Sequence, residues 1–132
     1  MGINSIGKAM AAASSGMNAQ SFRLRLVSEN LSNADTHGYQ RKLVTFADEF
    51  DRVSETARVT IDDVTLDRSQ GDLVYEPNHP LANAEGFVTT SNVDMMIELA
   101  DAREAGRSYE ANLSTFRQAA QMYSGLIDLL RR

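Results

Sequence analysis

The chain has 132 residues, a formal net charge of −5 and no cysteine. The acidic balance argues against nucleic acid as a partner, because phosphate binding needs a basic surface. The lack of cysteine excludes a disulfide framework and thiolate chemistry, and no stretch approaches the roughly 18 consecutive apolar residues of a membrane span.

The charge is distributed unevenly along the chain. Residues 1–42 carry five basic and two acidic side chains, residues 43–91 carry three and ten, and residues 92–132 carry five and six. We interpret the middle of the chain as a solvated, acidic outer portion, and the two ends as association surfaces.

The first predicted element is a long helix over residues 3–32. Its apolar residues recur at alternating intervals of three and four, which is the pattern of a coiled-coil seam. We call this set the N-terminal stripe: Ile3, Ile6, Met10, Ala13, Met17, Gln20, Leu24, Val27 and Leu31. Gln20 is its one polar member, and a polar seam residue of this kind can set the register between subunits.

Turn-forming residues follow this helix. The segment from Asn33 to Gly38 is dense in helix-stop residues and predicts the end of the first helix. We expect Gly38 to supply a left-handed position at the helix C-terminus. Asn30 and Asn33 can bond backbone groups that the helix end releases, and Tyr39 can bury its ring while its hydroxyl stays wet.

Residues 40–90 predict a small, poorly filled β element. Short runs typical of strands lie at 42–47, 58–61, 64–66, 72–75 and 87–89. Residues 48–56 are polar and acidic, so we expect a loop there. The acidic residues of this region show no calcium-loop spacing, and we interpret them as a solvated face.

A second long helix is predicted near the C-terminus, with Asn92 as a candidate N-cap. Its apolar positions again alternate by three and four. We call them the C-terminal stripe: Leu99, Ala102, Gly106, Tyr109, Leu113, Phe116, Ala120, Tyr123, Ile127 and Leu130. The small residues Ala102, Gly106 and Ala120 would let another helix approach closely.

The predicted fold is mainly α with a small β insert. Residues 1–36 and 92–132 form two long antiparallel terminal helices with a coiled-coil core, and residues 37–91 form a small β-rich outer segment. Apolar residues outside the stripes widen both helices beyond what one partner covers, which predicts further partners.

No pattern of catalysis or ligand binding is present in the sequence. His37 and His79 are the only histidines, and they lack the cysteine partners or helical spacing of a zinc site, so we expect a turn histidine and a loop histidine. There is no catalytic triad pattern and no phosphate-binding glycine loop. We therefore predict a protein that is not an enzyme, with no catalytic residue, cofactor, metal or small-molecule substrate.

Two terminal segments carry a specific resemblance. Residues 15–41 contain Ala19-Gln20, Asn30-Leu31-Ser32-Asn33 and Thr36-His37-Gly38-Tyr39, and this segment resembles the N-terminal motif of flagellar rod, hook and related axial proteins. Residues 92–94 and 107–112 are similar to the C-terminal helix of the same family. Residues 73–77 and 79–88 resemble its short proximal rod member in particular.

The resemblance implies a structural subunit of the bacterial flagellar basal-body proximal rod. Such a subunit would assemble helically with copies of itself and other rod proteins into a drive shaft that transmits torque and encloses the export channel. It would also meet the adaptor protein at the rod base and the membrane ring protein. It would cross the periplasm after export by the flagellar type III apparatus, without a cleaved signal peptide.

The stripes and the resemblance together select the candidate assembly residues. They are Gln20, Leu24, Val27, Asn30, Leu31, Asn33, Thr36, Gly38, Tyr39, Asn92, Val93, Asp94, Tyr109, Asn112, Leu113 and Phe116. From the sequence we expect the substitution Asn30→Leu to keep helicity but impair assembly.

Two other functions remain open at this point. The first is a different type III-secreted helical-hairpin subunit, although needle-like subunits are shorter and lack a β insert. The second is an intracellular coiled-coil adaptor, which would not need the motif from Thr36 to Tyr39. A membrane-surface role for the first helix has weak support, because Lys8, Arg23 and Arg25 make a sparse basic face.

Overall fold

The computed structural model describes residues 2–132, and side chains from Asn4 onward, so Ile3 of the N-terminal stripe lies outside the described side chains. In chain order the elements are α1 (Gly2–Ser32), β1 (Lys42–Asp51), β2 (Thr56–Leu66), β3 (Leu73–Tyr75), β4 (Phe87–Thr89) and α2 (Met95–Leu130). The prediction of two long terminal helices around a small β insert is confirmed. Within residues 2–132, no helix is both long and apolar enough to cross a membrane.

The two long helices pack side by side in opposite directions. Their lengths of 31 and 36 residues correspond to roughly 45 and 55 Å. Facing residues are Asn30 with Glu98, Arg23 with Asp101 and Glu104, and Gly16 with Asn112. Because the partner number rises as the α1 number falls, these contacts confirm the antiparallel arrangement.

The β1–β2 hairpin lies lengthwise along α1. At its base, the backbone of Lys42 bonds to the side chain of Asn30, and near its tip Glu55 pairs with Lys8 at 3.1 Å. Along α1, the distance between these two anchor points is about 35 Å. Along β1 and its turn, the distance between them is also about 35 Å. The hairpin therefore follows α1 for most of the length of that helix.

The predicted loop at residues 48–56 is wrong. Residues 48–51 continue β1, a tight turn covers 52–55, and Thr56 begins β2. The strands pair antiparallel with a bulge between Thr45 and Phe46, and Glu55 adopts a φ of 52° in the turn. Polar residues do not end the strand because one face of this hairpin is in solvent, as is common for antiparallel pairs.

β3 and β4 form a second, shorter antiparallel hairpin, in which Val74 pairs with Val88. The rings of Tyr75 and Phe87 contact each other edge to face at 5.3 Å, and Val88 is 1% exposed. Gly86 has a φ of +88°, and a Cβ there would lie 2.9 Å from the Tyr75 ring. The strand predicted at 87–89 is confirmed with its bounds.

The core between the helices is narrow and built from small residues. The buried apolar side chains of the helices are Ile6, Ala13, Ala19, Leu26, Val27, Ala105 and Ala119. Alanine at these positions lets the two helix backbones lie close together, but it buries little apolar area per residue. One chain alone therefore leaves much of its larger apolar surface uncovered.

Candidate functional site

The face of α2 that contacts α1 is offset from the C-terminal stripe. This contact face runs through four residues spaced seven apart: Glu98, Ala105, Asn112 and Ala119. Glu98, Ala105 and Ala119 are buried, and Asn112 faces Gly16. With about 100° between successive residues, this face is turned by roughly 60° from the centre of the stripe. The centre of the C-terminal stripe therefore lies beside the face of α2 that contacts α1.

Three of the ten residues of the C-terminal stripe remain exposed, near the two ends of α2. Leu99 is 53% exposed, Tyr123 42% and Leu130 73%, while the stripe residues between Leu99 and Tyr123 are half-buried. The residues Met95, Met96 and Ile97 extend this apolar surface around the start of α2. Exposed apolar residues grouped at the ends of a helix in this way mark a candidate interaction surface.

The N-terminal stripe is also only partly covered within the chain. Ile6, Ala13 and Val27 are buried against α2 or the hairpin, whereas Met10, Met17, Leu24 and Leu31 are half-buried at the edge of the contact. The amide oxygen of Gln20 is buried and has no hydrogen-bond partner within residues 4–132.

The two helices approach each other closely at Gly16. A Cβ on buried Gly16 would lie 2.7 Å from the amide nitrogen of Asn112, whose amide also donates to the carbonyl of Ser108 at 2.9 Å. A Cβ on Gly106 would meet nothing within 4 Å, so α1 does not approach α2 closely there, and close approach by a further helix at that position stays a prediction. Tyr109, Asn112, Leu113 and Phe116 are all half-buried along this middle part of α2.

A second cluster joins the end of α1, the start of β1 and the start of α2. We call it the junction: Asn30, Tyr39, Arg41, Lys42, Asn92 and Glu98. Asn30 is 1% exposed; its Oδ1 accepts from the Tyr39 hydroxyl and the Lys42 backbone N–H, both at 2.9 Å. Its Nδ2 donates to the Lys42 carbonyl at 2.9 Å and to Glu98 at 3.3 Å. Asn30 thus bonds β1 backbone rather than the helix end that the sequence indicated.

Glu98 is the charged centre of the junction. Its side chain is fully buried and pairs with the guanidinium of Arg41. Removing one partner from a buried pair of this kind typically costs about 3–5 kcal/mol, because the other charge is left uncompensated. The pair therefore fixes the start of β1 against the first turn of α2.

Asn92 links the residue before β1 to the segment that follows β2. Its Oδ1 accepts from the Arg41 backbone N–H at 2.6 Å, and its Nδ2 donates to the carbonyls of Asp67 and Ser69 at 2.8 and 2.9 Å. It is not the N-cap of α2, so that expectation is wrong. Asp94 is the N-cap, accepting from the Met96 N–H at 2.9 Å.

The Tyr39 hydroxyl donates to buried Asn30 at 2.9 Å, and Tyr39 itself is half-buried. Burial, followed by the negative charge of Glu29, raises the pKa of the Tyr39 phenol above its usual value. Glu29 also bonds the Lys42 ammonium, and this bond raises the pKa of Lys42.

The segment between α1 and β1 turns through Asn33, Thr36 and Gly38. The Asn33 amide donates to the Glu29 carbonyl at 2.9 Å, which confirms its expected bond to a released helix carbonyl, and Thr36 donates to Asn33 at 3.2 Å. Gly38 has a φ of +74° but lies six residues beyond the end of α1, so it is not the helix cap. Its N–H donates instead to the Thr89 carbonyl at 3.0 Å.

The structure brings three of the sixteen predicted residues together in the junction. Asn30, Tyr39 and Asn92 meet in the junction, with Val93 half-buried beside it, whereas Asn112 lies about 20 Å further along α2. Sequence reasoning missed Arg41 and Glu98. The available signal for Glu98 was its seven-residue spacing from Ala105, which places it on the same helix face as the small residues.

The ionisable groups of the junction are bonded to one another, so its chemistry is that of an anchor. The junction fixes the position of α1 relative to α2 and holds the start of β1 against both helices. The exposed C-terminal stripe, by contrast, is a surface that can bind a further helix.

Comparison with known proteins identifies related sequences at both ends of the chain. Residues 10–40 match the family model described as flagella basal body rod protein, and residues 84–129 match that described as flagellar basal body rod FlgEFG protein C-terminal. These two regions hold most of α1 and α2, and each includes one side of the junction.

Several curated relatives match across most of this chain. A flagellar basal-body rod protein FlgC of Agrobacterium fabrum is 48% identical, covering 90% of this chain and 91% of the relative. A protein of the same name from Escherichia coli O6:H1 is 36% identical, covering 83% and 87%. Another from Bacillus subtilis is 32% identical, covering 89% and 93%.

Proposed function

The chain belongs to the FlgC family of flagellar basal-body rod proteins and is a structural rod subunit, and from this premise we propose that it assembles helically through its exposed C-terminal stripe. Neighbouring subunits would lay their own helices along that stripe and along the half-buried edge of the N-terminal stripe. The completed contacts form the coiled-coil inner layer of the rod.

The observation that carries this proposal is the exposure of stripe residues at both ends of α2, together with the offset of the intrachain contact from the centre of the C-terminal stripe. A stripe with seven-residue periodicity is commonly an intramolecular core, but here the partner helix covers a neighbouring face. Leu99 and Leu130 remain 53% and 73% exposed at opposite ends of α2. Covering such residues contributes about 25 cal/mol per Å² of apolar area, which favours a multisubunit helical layer.

The β insert supports an arrangement with the helices inside and the hairpins outside. The β1–β2 hairpin covers α1 and holds acidic residues on its solvent side, with Asp48 and Glu49 exposed. Val53 at its tip is 96% exposed. We place residues 37–91 on the outer surface of the rod, where the tip contacts a neighbouring subunit.

In this arrangement the chain is part of the proximal rod, a drive shaft that transmits torque and encloses the export channel. Its partners are copies of itself, other rod proteins, the adaptor protein at the rod base and the membrane ring protein. It crosses the periplasm after export by the flagellar type III apparatus. We assign it no catalytic role, cofactor, nucleic-acid partner or small-molecule substrate.

The substitution Leu99→Glu tests the proposal, with swimming and rod yield measured in a strain that lacks the native gene. Leu99 is more than half exposed in the subunit, so the subunit should fold normally. In an assembled rod the new carboxylate would be buried without a partner, at a cost of several kcal/mol. We expect loss of swimming and of intact rods.

The matched control is Gln118→Glu, which adds the same charge at an exposed position of α2 on the side away from the stripe. We expect this variant to swim. Normal swimming and normal rod yield for Leu99→Glu would show that the stripe is not an assembly surface.

A further inference from the structure

The turn between β3 and β4 brings the two histidines of the chain together, although 42 positions separate them in the sequence. The imidazole rings of His37 and His79 lie edge to face with centroids 4.6 Å apart. The carboxylate of Glu76 completes a group of three, whose possible ligand atoms all lie within 4.8 Å of one another. Sequence spacing could not reveal this group, because His37 comes from the segment that follows α1.

The backbone on both sides of this group is held by hydrogen bonds. The Gly38 N–H donates to the Thr89 carbonyl at 3.0 Å, which ties the His37 segment to β4. The Glu76 N–H donates to the Gly86 carbonyl at 2.9 Å, and the His79 N–H donates to the Glu76 carbonyl at 3.0 Å. Because both segments are fastened to the same hairpin, the three side chains are positioned before any ligand arrives.

The Nδ1 atoms of the two rings differ in their hydrogen-bond partners. Nδ1 of His37 is buried and has no hydrogen-bond partner within residues 4–132, and native structures rarely leave such an atom without a purpose. Nδ1 of His79 accepts from the Leu81 N–H at 3.0 Å, in a contact open to solvent. That bond places the proton of neutral His79 on Nε2. A metal bound at Nδ1 would replace this solvent-exposed hydrogen bond, and a metal bound at Nε2 would require the proton to leave that nitrogen.

We propose that His37, Glu76 and His79 form a zinc-type site that binds one divalent transition-metal ion. Two imidazoles and one carboxylate are a ligand set that zinc accepts, with a fourth position open to water. Ligand atoms around tetrahedral zinc lie about 3.3 Å apart, so closure from 4.8 Å needs only side-chain rotation. Glu76 is exposed and can make most of that movement.

The bound ion would fasten the β3–β4 turn to the segment that leaves α1. That segment continues directly into Tyr39 and Arg41 of the junction. The ion would link these two segments of the fold. The site lies apart from the C-terminal stripe, so its test is independent of the rod-assembly proposal.

The test uses the full chain without a histidine tag, stripped of metal by a chelator and then dialysed. Zn²⁺ binding is measured by competition with a chromophoric chelator, and Co²⁺ binding by its visible absorption. The variants are His37→Ala, His79→Asn and Glu76→Gln, with Glu85→Gln as the control, because Glu85 is an exposed carboxylate of the same hairpin outside the group. His79→Asn keeps an acceptor for the Leu81 N–H.

We expect one Zn²⁺ per chain, an affinity at least about tenfold weaker in each histidine variant, and no change in Glu85→Gln. The Co²⁺ absorption should disappear with His37→Ala, and Zn²⁺ should raise the melting temperature of the parent chain and of Glu85→Gln but not of the histidine variants. Zn²⁺ affinity equal in the parent and in both histidine variants, His37→Ala and His79→Asn, would overturn the proposal. Because Glu76 is exposed, Glu76→Gln separates metal binding from folding, and an unweakened affinity in that variant would remove Glu76 from the site.

Discussion

Substitution of Asn30 by Leu is the sharpest probe of the junction. The side chains are similar in size, so the change removes hydrogen bonds with little change in volume. Asn30 makes four such bonds, two of them to the backbone of Lys42 and one each to Tyr39 and Glu98. Because all four partners lie within the same chain, the loss falls on the subunit itself and not first on its contacts with neighbours.

The magnitude follows from the groups that are left behind. Each buried polar group without a partner costs about 1–3 kcal/mol, and the leucine side chain would leave the Lys42 N–H and carbonyl unpaired. Glu98 keeps its bond to Arg41 and loses only a long contact at 3.3 Å. After the apolar gain from the new side chain, we expect the free energy of unfolding to fall by about 3 kcal/mol.

The measurement is urea unfolding followed by far-ultraviolet circular dichroism. A loss of this size should lower the urea midpoint by roughly 2 M. The control is Ser28→Leu, which adds the same side chain at an exposed position of α1 and should cost less than about 0.5 kcal/mol. A midpoint for Asn30→Leu equal to that of Ser28→Leu would refute the assignment of the junction as the anchor of β1.

Three further outcomes are expected. Gly16→Val should destabilise the helix pair by about 1–3 kcal/mol, because its branched side chain must displace Asn112; a wild-type melting temperature would contradict the close approach. Reversing either charge in the pair of Arg23 and Asp101 should lower the melting temperature, and reversing both should recover part of the loss; no recovery would argue against the contact. The raised pKa of Tyr39 means that the folded state holds its proton more tightly, so stability should fall as the pH rises above about 10. Tyr39→Phe should make that fall shallower, and an unchanged slope would contradict burial of the phenol.

The helices could be predicted from the sequence because their seven-residue periodicity is long and nearly unbroken. The periodicity did not indicate which side of each stripe would be covered within the chain. That choice is made by small residues such as Gly16, Ala105 and Ala119, which permit close backbone packing but give a weak hydrophobic signal. The apolar stripe then remains at the edge of the seam.

The β insert was only partly predictable for a different reason. Residues 48–51 hold three acidic side chains and are largely exposed, yet they continue a strand because β1 is supported by β2 and α1. The junction also depends on contacts between distant segments, such as Arg41 with Glu98, that no local pattern encodes. Asn30 and Asn92 were identified as important, but their partners were visible only in the folded chain.

Cryo-electron microscopy of isolated basal bodies, at a resolution that shows side chains, tests the central claim most directly. The account predicts that Leu99, Tyr123 and Leu130 are buried against helices of adjacent rod subunits, while Glu98 still contacts Arg41 inside its own chain. A map in which those three apolar residues face water, or turn inward against α1 of the same subunit, would contradict it.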